Sequence, residues 1–114
     1  MKKINVVKEN KTFNYIINKG KSVKNKNFVI YFYNNKESHY RFGISVGKKI
    51  GCAVVRNSYK RKLRNIIDNH KKLYANNLDY IIIIRKNCLD LSFAEIEESF
   101  VSLVSKIKKE DKYE

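Results

Sequence analysis

The chain has 114 residues, 43% hydrophobic and 32% charged, with a formal net charge of +14; these values fit one domain over residues 1–114 with a single core, rather than two domains or a disordered tail. Such a cationic excess points to nucleic acid or an anionic membrane surface. Two cysteines, Cys52 and Cys88, without a C-x-x-C or clustered His, exclude a disulfide framework and a zinc site, and the longest apolar run, residues 80–84, is far below the roughly 20 residues of a membrane helix.

In chain order, residues 1–7 lack the apolar h-region of a secretory signal and read as irregular. Phe13, Ile16 and Ile17 follow i, i+3, i+4 spacing and Gly20 offers a stop, so residues 8–19 form a short amphipathic helix. Residues 22–33 alternate, with Val29, Tyr31 and Tyr33 on one face and Phe28, Ile30 and Phe32 on the other, as in a strand. Turn residues fill 34–38, residues 40–46 (YRFGISV) alternate again, and the two strands are expected to pair as an antiparallel hairpin.

A donor-rich loop at 47–51 leads into a helix over residues 53–76. Val55, Tyr59, Leu63, Ile66, Ile67 and Leu73 map within about 120° of one another on its surface, a core-facing stripe. Residues 78–84 (LDYIIII) form the most hydrophobic strand, buried on both faces and therefore central, and the preceding helix becomes a crossover implying a parallel strand pair. The last helix spans 92–109. It opens with Ser92 three residues before Glu95, a capping box, and carries Ile96, Phe100, Leu103, Val104 and Ile107 at helical spacing.

The charge is uneven. Residues 1–89 hold 21 Lys/Arg against 4 Asp/Glu, while residues 90–114 hold 4 against 7. Between Glu37 and Asp68 lie thirty residues without a carboxylate, carrying Arg41, Lys48, Lys49, Arg56, Lys60, Arg61, Lys62 and Arg64. Arg56, Asn57, Lys60, Arg61 and Arg64 share an arc of about 140° beside the core stripe. Like charges at i, i+4 cost a few tenths of a kcal/mol per pair. A solvated face alone has little need of that concentration, and the planar guanidinium grips phosphate bidentately where an ammonium does not. A polyanion is the expected partner. Asp68, Asp79 and Asp90 fall on different elements with no paired-carboxylate pattern for two-metal phosphodiester cleavage, so an intrinsic nuclease centre is not expected.

The stretch RFGISVGKKIGCAVVRNSYKRKLR resembles the signature of the bacterial ribonuclease P protein subunit, K-K-x-G-N-A-V-x-R-N-x-x-K-R-x-x-R. It matches at Lys48, Lys49, Gly51, Ala53, Val54, Arg56, Asn57, Lys60, Arg61 and Arg64. KENKTFNYIINKGKSV, NFVIY and LDYIIIIRK resemble that family's first helix, next strand and final strand, so the likeness runs through essentially the whole chain. There are three departures: Cys52 where the family has Asn, Ser58 in place of a third basic residue, and Ile17 where many relatives carry an aromatic.

The resemblance implies an α/β (α+β) two-layer sandwich in the order αβββαβα, with one four-stranded sheet, similar to domain 2 of ribosomal protein S5, and a crossover of left-handed sense against the general preference. It implies a non-catalytic subunit of ribonuclease P: the partner RNA performs hydrolysis with Mg2+ held mainly by that RNA, and the protein binds no metal on its own. The implied partners are the catalytic RNA and precursor tRNA, with no membrane and no small-molecule substrate, in the cytoplasm. Arg56, Asn57, Lys60, Arg61 and Arg64, supported by Lys48 and Lys49, would face the RNA. Phe13, Ile17, Val29 and Tyr31 would line a cleft for the single-stranded 5′ leader, since unpaired bases are held by aromatic platforms beside positive charge. The alternatives are a general or ribosomal RNA-binding protein without a role in cleavage, and a free-standing ribonuclease.

Overall fold

The computed structural model describes residues 5–36 and 39–111. Three α-helices, α1 (Asn10–Lys19), α2 (Ala53–Asn69) and α3 (Phe93–Asp111), accompany four strands, β1 (Lys21–Lys24), β2 (Phe28–Asn34), β3 (Arg41–Ser45) and β4 (Leu78–Ile84). The order αβββαβα and the single four-stranded sheet are as expected. Within the sheet the order is β1-β2-β4-β3, with β4 antiparallel to β2 and parallel to β3. The expected centrality of β4 follows from its residues: every position from Leu78 to Ile84 is buried except half-buried Ile83.

The hairpin expected between residues 22–33 and 40–46 does not form. The first of these stretches divides into β1 and β2, which pair with each other in antiparallel register from Lys21↔Phe32 to Lys24↔Val29. Asn25 makes the division, because its Oδ1 accepts hydrogen bonds from the backbone N–H groups of Asn27 (2.8 Å) and Phe28 (2.9 Å) and so turns the chain. β4, apolar on both faces, takes the position beside β2, and β3 pairs with the far side of β4 instead. Of the turn expected over 34–38, residues 37 and 38 lie outside the described residues, as do residues 1–4 of the N-terminal coil. Val6 is not simply irregular: it bridges Phe42 in parallel, and Val7 N–H donates to the Phe42 carbonyl at 3.0 Å, covering part of the outer edge of β3.

The two faces of the sheet carry two cores. Phe28, Ile30 and Phe32 of β2 join Tyr80 and Ile82 of β4 against α2, through Tyr59, Leu63, Ile66 and Ile67, and against α3, through Ile96, Phe100, Leu103, Val104 and Ile107. This sheet-on-helices sandwich holds most of the buried surface, at about 1.5–3 kcal/mol per fully buried large side chain before entropy is counted. On the other face α1 lays Ile16 on Ile81, with Val7 beside them and Phe13, Ile17, Tyr31, Tyr33 and Ile83 packed around. Gly20 ends α1 at a close approach: a Cβ there would lie 2.5 Å from the Phe32 carbonyl oxygen and 2.6 Å from that of Ile16.

α2 stops at Asn69, short of the expected residue 76, and the chain continues as a 3-10 turn over Lys71–Leu73. The Tyr74 hydroxyl donates to the Ile67 carbonyl at 2.8 Å and satisfies the helix end from below. α3 begins with the expected capping box, in which Glu95 N–H donates to Ser92 Oγ at 3.2 Å and Ser92 N–H to Glu95 Oε1 at 3.0 Å. The Ser92 backbone N–H, and after it the Ser92 hydroxyl, hold the Glu95 carboxyl below its ordinary pKa. Arg41 and Asp79, register partners on β3 and β4, form a two-pronged ion pair: Nε to Oδ1 at 2.8 Å and Nη2 to Oδ2 at 2.6 Å, with Asn35 Nδ2 donating to Oδ1 at 2.7 Å.

Candidate nucleic-acid interface

α2 owes its two-sided character to the spacing of its residues. The stripe Tyr59, Leu63, Ile66 and Ile67 is buried, and the neighbouring arc carries Asn57, Arg61 and Arg64 in solvent with Arg56 and Lys60 half-buried. The 3-10 turn Lys48–Ile50 precedes it, with Ile50 buried as an anchor and Lys48 and Lys49 exposed. All seven sequence-expected cation and amide positions therefore lie on one helix and the turn that feeds it. Arg56 Nε is buried without a hydrogen-bond partner. Arg41, counted in the same acid-free stretch of sequence, belongs elsewhere: it is committed to Asp79.

Cys52 holds the N-cap position of α2 but makes no side-chain cap hydrogen bond. The N–H groups of Val55 and Val54 nevertheless point toward its sulfur and, with a smaller contribution from the Arg56 charge, hold the exposed thiol below its ordinary pKa. Cys88 is the opposite case. Burial pushes its thiol up to about 11, and its Sγ–H donates to the Asn27 carbonyl at 3.3 Å.

The four expected cleft residues divide. Phe13, Ile17 and Tyr31 all pack on the Val7, Ile16 and Ile81 cluster. Val29 shares the sheet face with Tyr31, two residues along β2 and opposite Ile83, but lies outside that cluster. Gly43 lies against Phe13, and the sequence pattern did not single it out. A Cβ there would lie 2.8 Å from both Ile81 Cδ1 and Phe13 Cε2, so its bare backbone is what lets the Phe13 ring lie against the sheet. The available signal was a glycine inside a strand pattern, which marks a close approach.

The two sets of residues meet at Phe13, Lys60 and Arg64. A recess of about 130 Å³ is lined by Val6, Val7 and Phe13 on one side, Phe42, Gly43 and Ile44 of β3 below, and Lys60 and Arg64 of α2 on the other. An aromatic ring and two cations thus share one concavity at the edge of the sheet, the combination that holds an unpaired base and its phosphate. Among the described residues no group of three or more His, Cys, Asp or Glu side chains is placed to hold a metal ion, and no helix is long and apolar enough to cross a membrane.

Comparison with known proteins is decisive on family. The family model described as Ribonuclease P matches residues 1–108. The chain belongs to the ribonuclease P protein family. A ribonuclease P protein component from Mycoplasma capricolum subsp. capricolum is 44% identical over 109 residues, covering 95% of this chain and all of that one. The Staphylococcus aureus ribonuclease P protein superposes with a TM-score of 0.85 at 39% identity, covering 91% of this chain and 95% of the other. That from Thermotoga maritima gives 0.78 at 32% identity, covering 82% and 89%. The chain is therefore the protein component of an endoribonuclease that matures tRNA 5′ ends, and the ribonuclease P RNA is its partner.

Proposed function

We propose that the protein contributes no catalytic group and works by holding two RNAs. Arg56, Asn57, Lys60, Arg61 and Arg64, with Lys48 and Lys49, lie against the catalytic RNA and screen phosphate repulsion. Phe13, Ile17, Val29 and Tyr31 take the unpaired 5′ leader of precursor tRNA. The observation that supports this reading is the recess where Phe13 meets Lys60 and Arg64, because an aromatic ring beside two cations is the combination that an unpaired base and its phosphate require. Hydrolysis then falls to the RNA subunit with its Mg2+, and the protein's own carboxylates take no part. The complex works in the cytoplasm.

Reconstitution with a bacterial ribonuclease P RNA at low Mg2+ tests the proposal. The protein should raise 5′ cleavage of precursor tRNA and tighten binding of precursor over mature tRNA, while the purified protein alone should leave precursor tRNA intact. Equal affinity for leader-bearing and leaderless tRNA would instead fit a general RNA-binding protein, and cleavage by the protein alone a free-standing ribonuclease.

A further inference from the structure

α1 divides its face of the sheet into two grooves, and only one of them is the proposed leader cleft. Ile16 points at the sheet; at about 100° per residue Phe13 and Ile17 leave the helix on one flank of it, and Tyr15 and Lys19 on the other. On that second flank the Tyr15 ring meets the Tyr33 ring edge to face, with centroids 5.3 Å apart and planes at 79°. The two hydroxyls lie 3.3 Å apart. Tyr15 is 51% exposed, a large aromatic left in solvent. An edge-to-face pair leaves one ring face open to a further flat partner.

Beside Tyr33 lies a recess of about 270 Å³ lined by Lys19, Gly20, Lys21 and residues of β2 and β4. It is smaller than the roughly 300–1,000 Å³ typical of a small-molecule site, and Lys19 stands at its rim. Asp79, cross-strand partner of Tyr33, is held by Arg41 and Asn35 and does not offset that charge. Tyr31 and Tyr33 project from the same face of β2 about 7 Å apart, so the second groove is within reach of a strand that occupies the first, around the end of α1 marked by Lys19 and Gly20.

We infer that Tyr15 and Tyr33, with Lys19, form a second stacking site, for an unpaired nucleotide of the leader upstream of those in the Phe13–Tyr31 cleft. This rests on the leader reading above and extends it. A base stacks on the open tyrosine face, the paired hydroxyls meet its polar edge, and Lys19 faces the phosphate.

The test is the affinity of the reconstituted complex for precursor tRNAs whose leaders are shortened one nucleotide at a time. Tyr15→Ala should weaken binding of the longest leaders about fivefold or more, the loss of one base stack, with Tyr15→Phe retaining most of the affinity. The loss should vanish as the leader shortens, at a length where Phe13→Ala still has its effect. Unchanged affinity of Tyr15→Ala at every length overturns the inference, as does an equal loss at every length and on mature tRNA, which would assign Tyr15 to the RNA subunit or to the fold. A complex with unaltered protein that shows no leader dependence removes both readings. Leader dependence that responds to Phe13→Ala and not to Tyr15→Ala removes only the second site.

Discussion

Cys52 stands at the helix start where a strong side-chain acceptor is wanted, and its sulfur makes no cap hydrogen bond. Asparagine is among the best residues for that position and cysteine is not, a difference of about 1 kcal/mol. Cys52→Asn should therefore raise the thermal midpoint by roughly 4 °C in a domain of this size. An unchanged midpoint would show that the first-turn N–H groups of α2 are satisfied without a cap. This weakness was legible in the sequence because capping is local chemistry. The fate of Arg41 was not, since its partner Asp79 lies 38 residues away and on another strand. Nothing in a run of cations distinguishes one destined for a buried carboxylate.

At the level of elements, α2 contains a control for its own proposed role. Arg61 lies in solvent on the proposed RNA face, whereas the Lys62 ammonium lies over the Tyr59 ring, 4.8 Å from its centroid. Arg61→Ala should lower the slope of log affinity against log salt by about one for each phosphate the guanidinium had neutralised, and Lys62→Ala should leave it nearly unchanged. Equal slopes for both variants in filter-binding or fluorescence titrations against the ribonuclease P RNA would count against a dedicated face. The helices were legible in the sequence because a 3.6-residue stripe is written within each one, although α2 ends at Asn69 and not at residue 76. The hairpin expected with β3 was misread because strand pairing is decided by competition: β2 and β3 both find their partner in β4, whose isoleucines come more than thirty residues later than β3. The motif positions of the candidate site were legible in order and spacing. Its meeting with Phe13 across the edge of β3 was not, because that recess joins three elements distant in the chain.

For the molecule as a whole, Arg41 and Asp79 sit on the two strands joined by the α2 crossover and fix their register where those strands begin. Asp79 is 3% exposed. Its removal strands a guanidinium and the Asn35 amide, a cost of about 3 kcal/mol, toward the low end for buried pairs because the Arg41 side chain keeps 26% of its surface in solvent. Urea unfolding of Asp79→Ala should show that loss as a lower midpoint with the slope preserved; a midpoint equal to that of the unaltered protein would mean that apolar burial of β4 alone sets the register.

The sheet also has an outer margin at β1, where Lys21, Ser22 and Lys24 are exposed and β2 is the one strand alongside among the described residues. An open strand edge is a template for any other chain in an extended state, and lysine is the residue most often used to discourage such pairing. The lysines of this margin thus have a consequence of their own, apart from the cationic arc of α2. They repel their counterparts on a neighbouring molecule, so that a small, half-apolar protein waiting for its RNA is kept from joining sheet to sheet with its own kind.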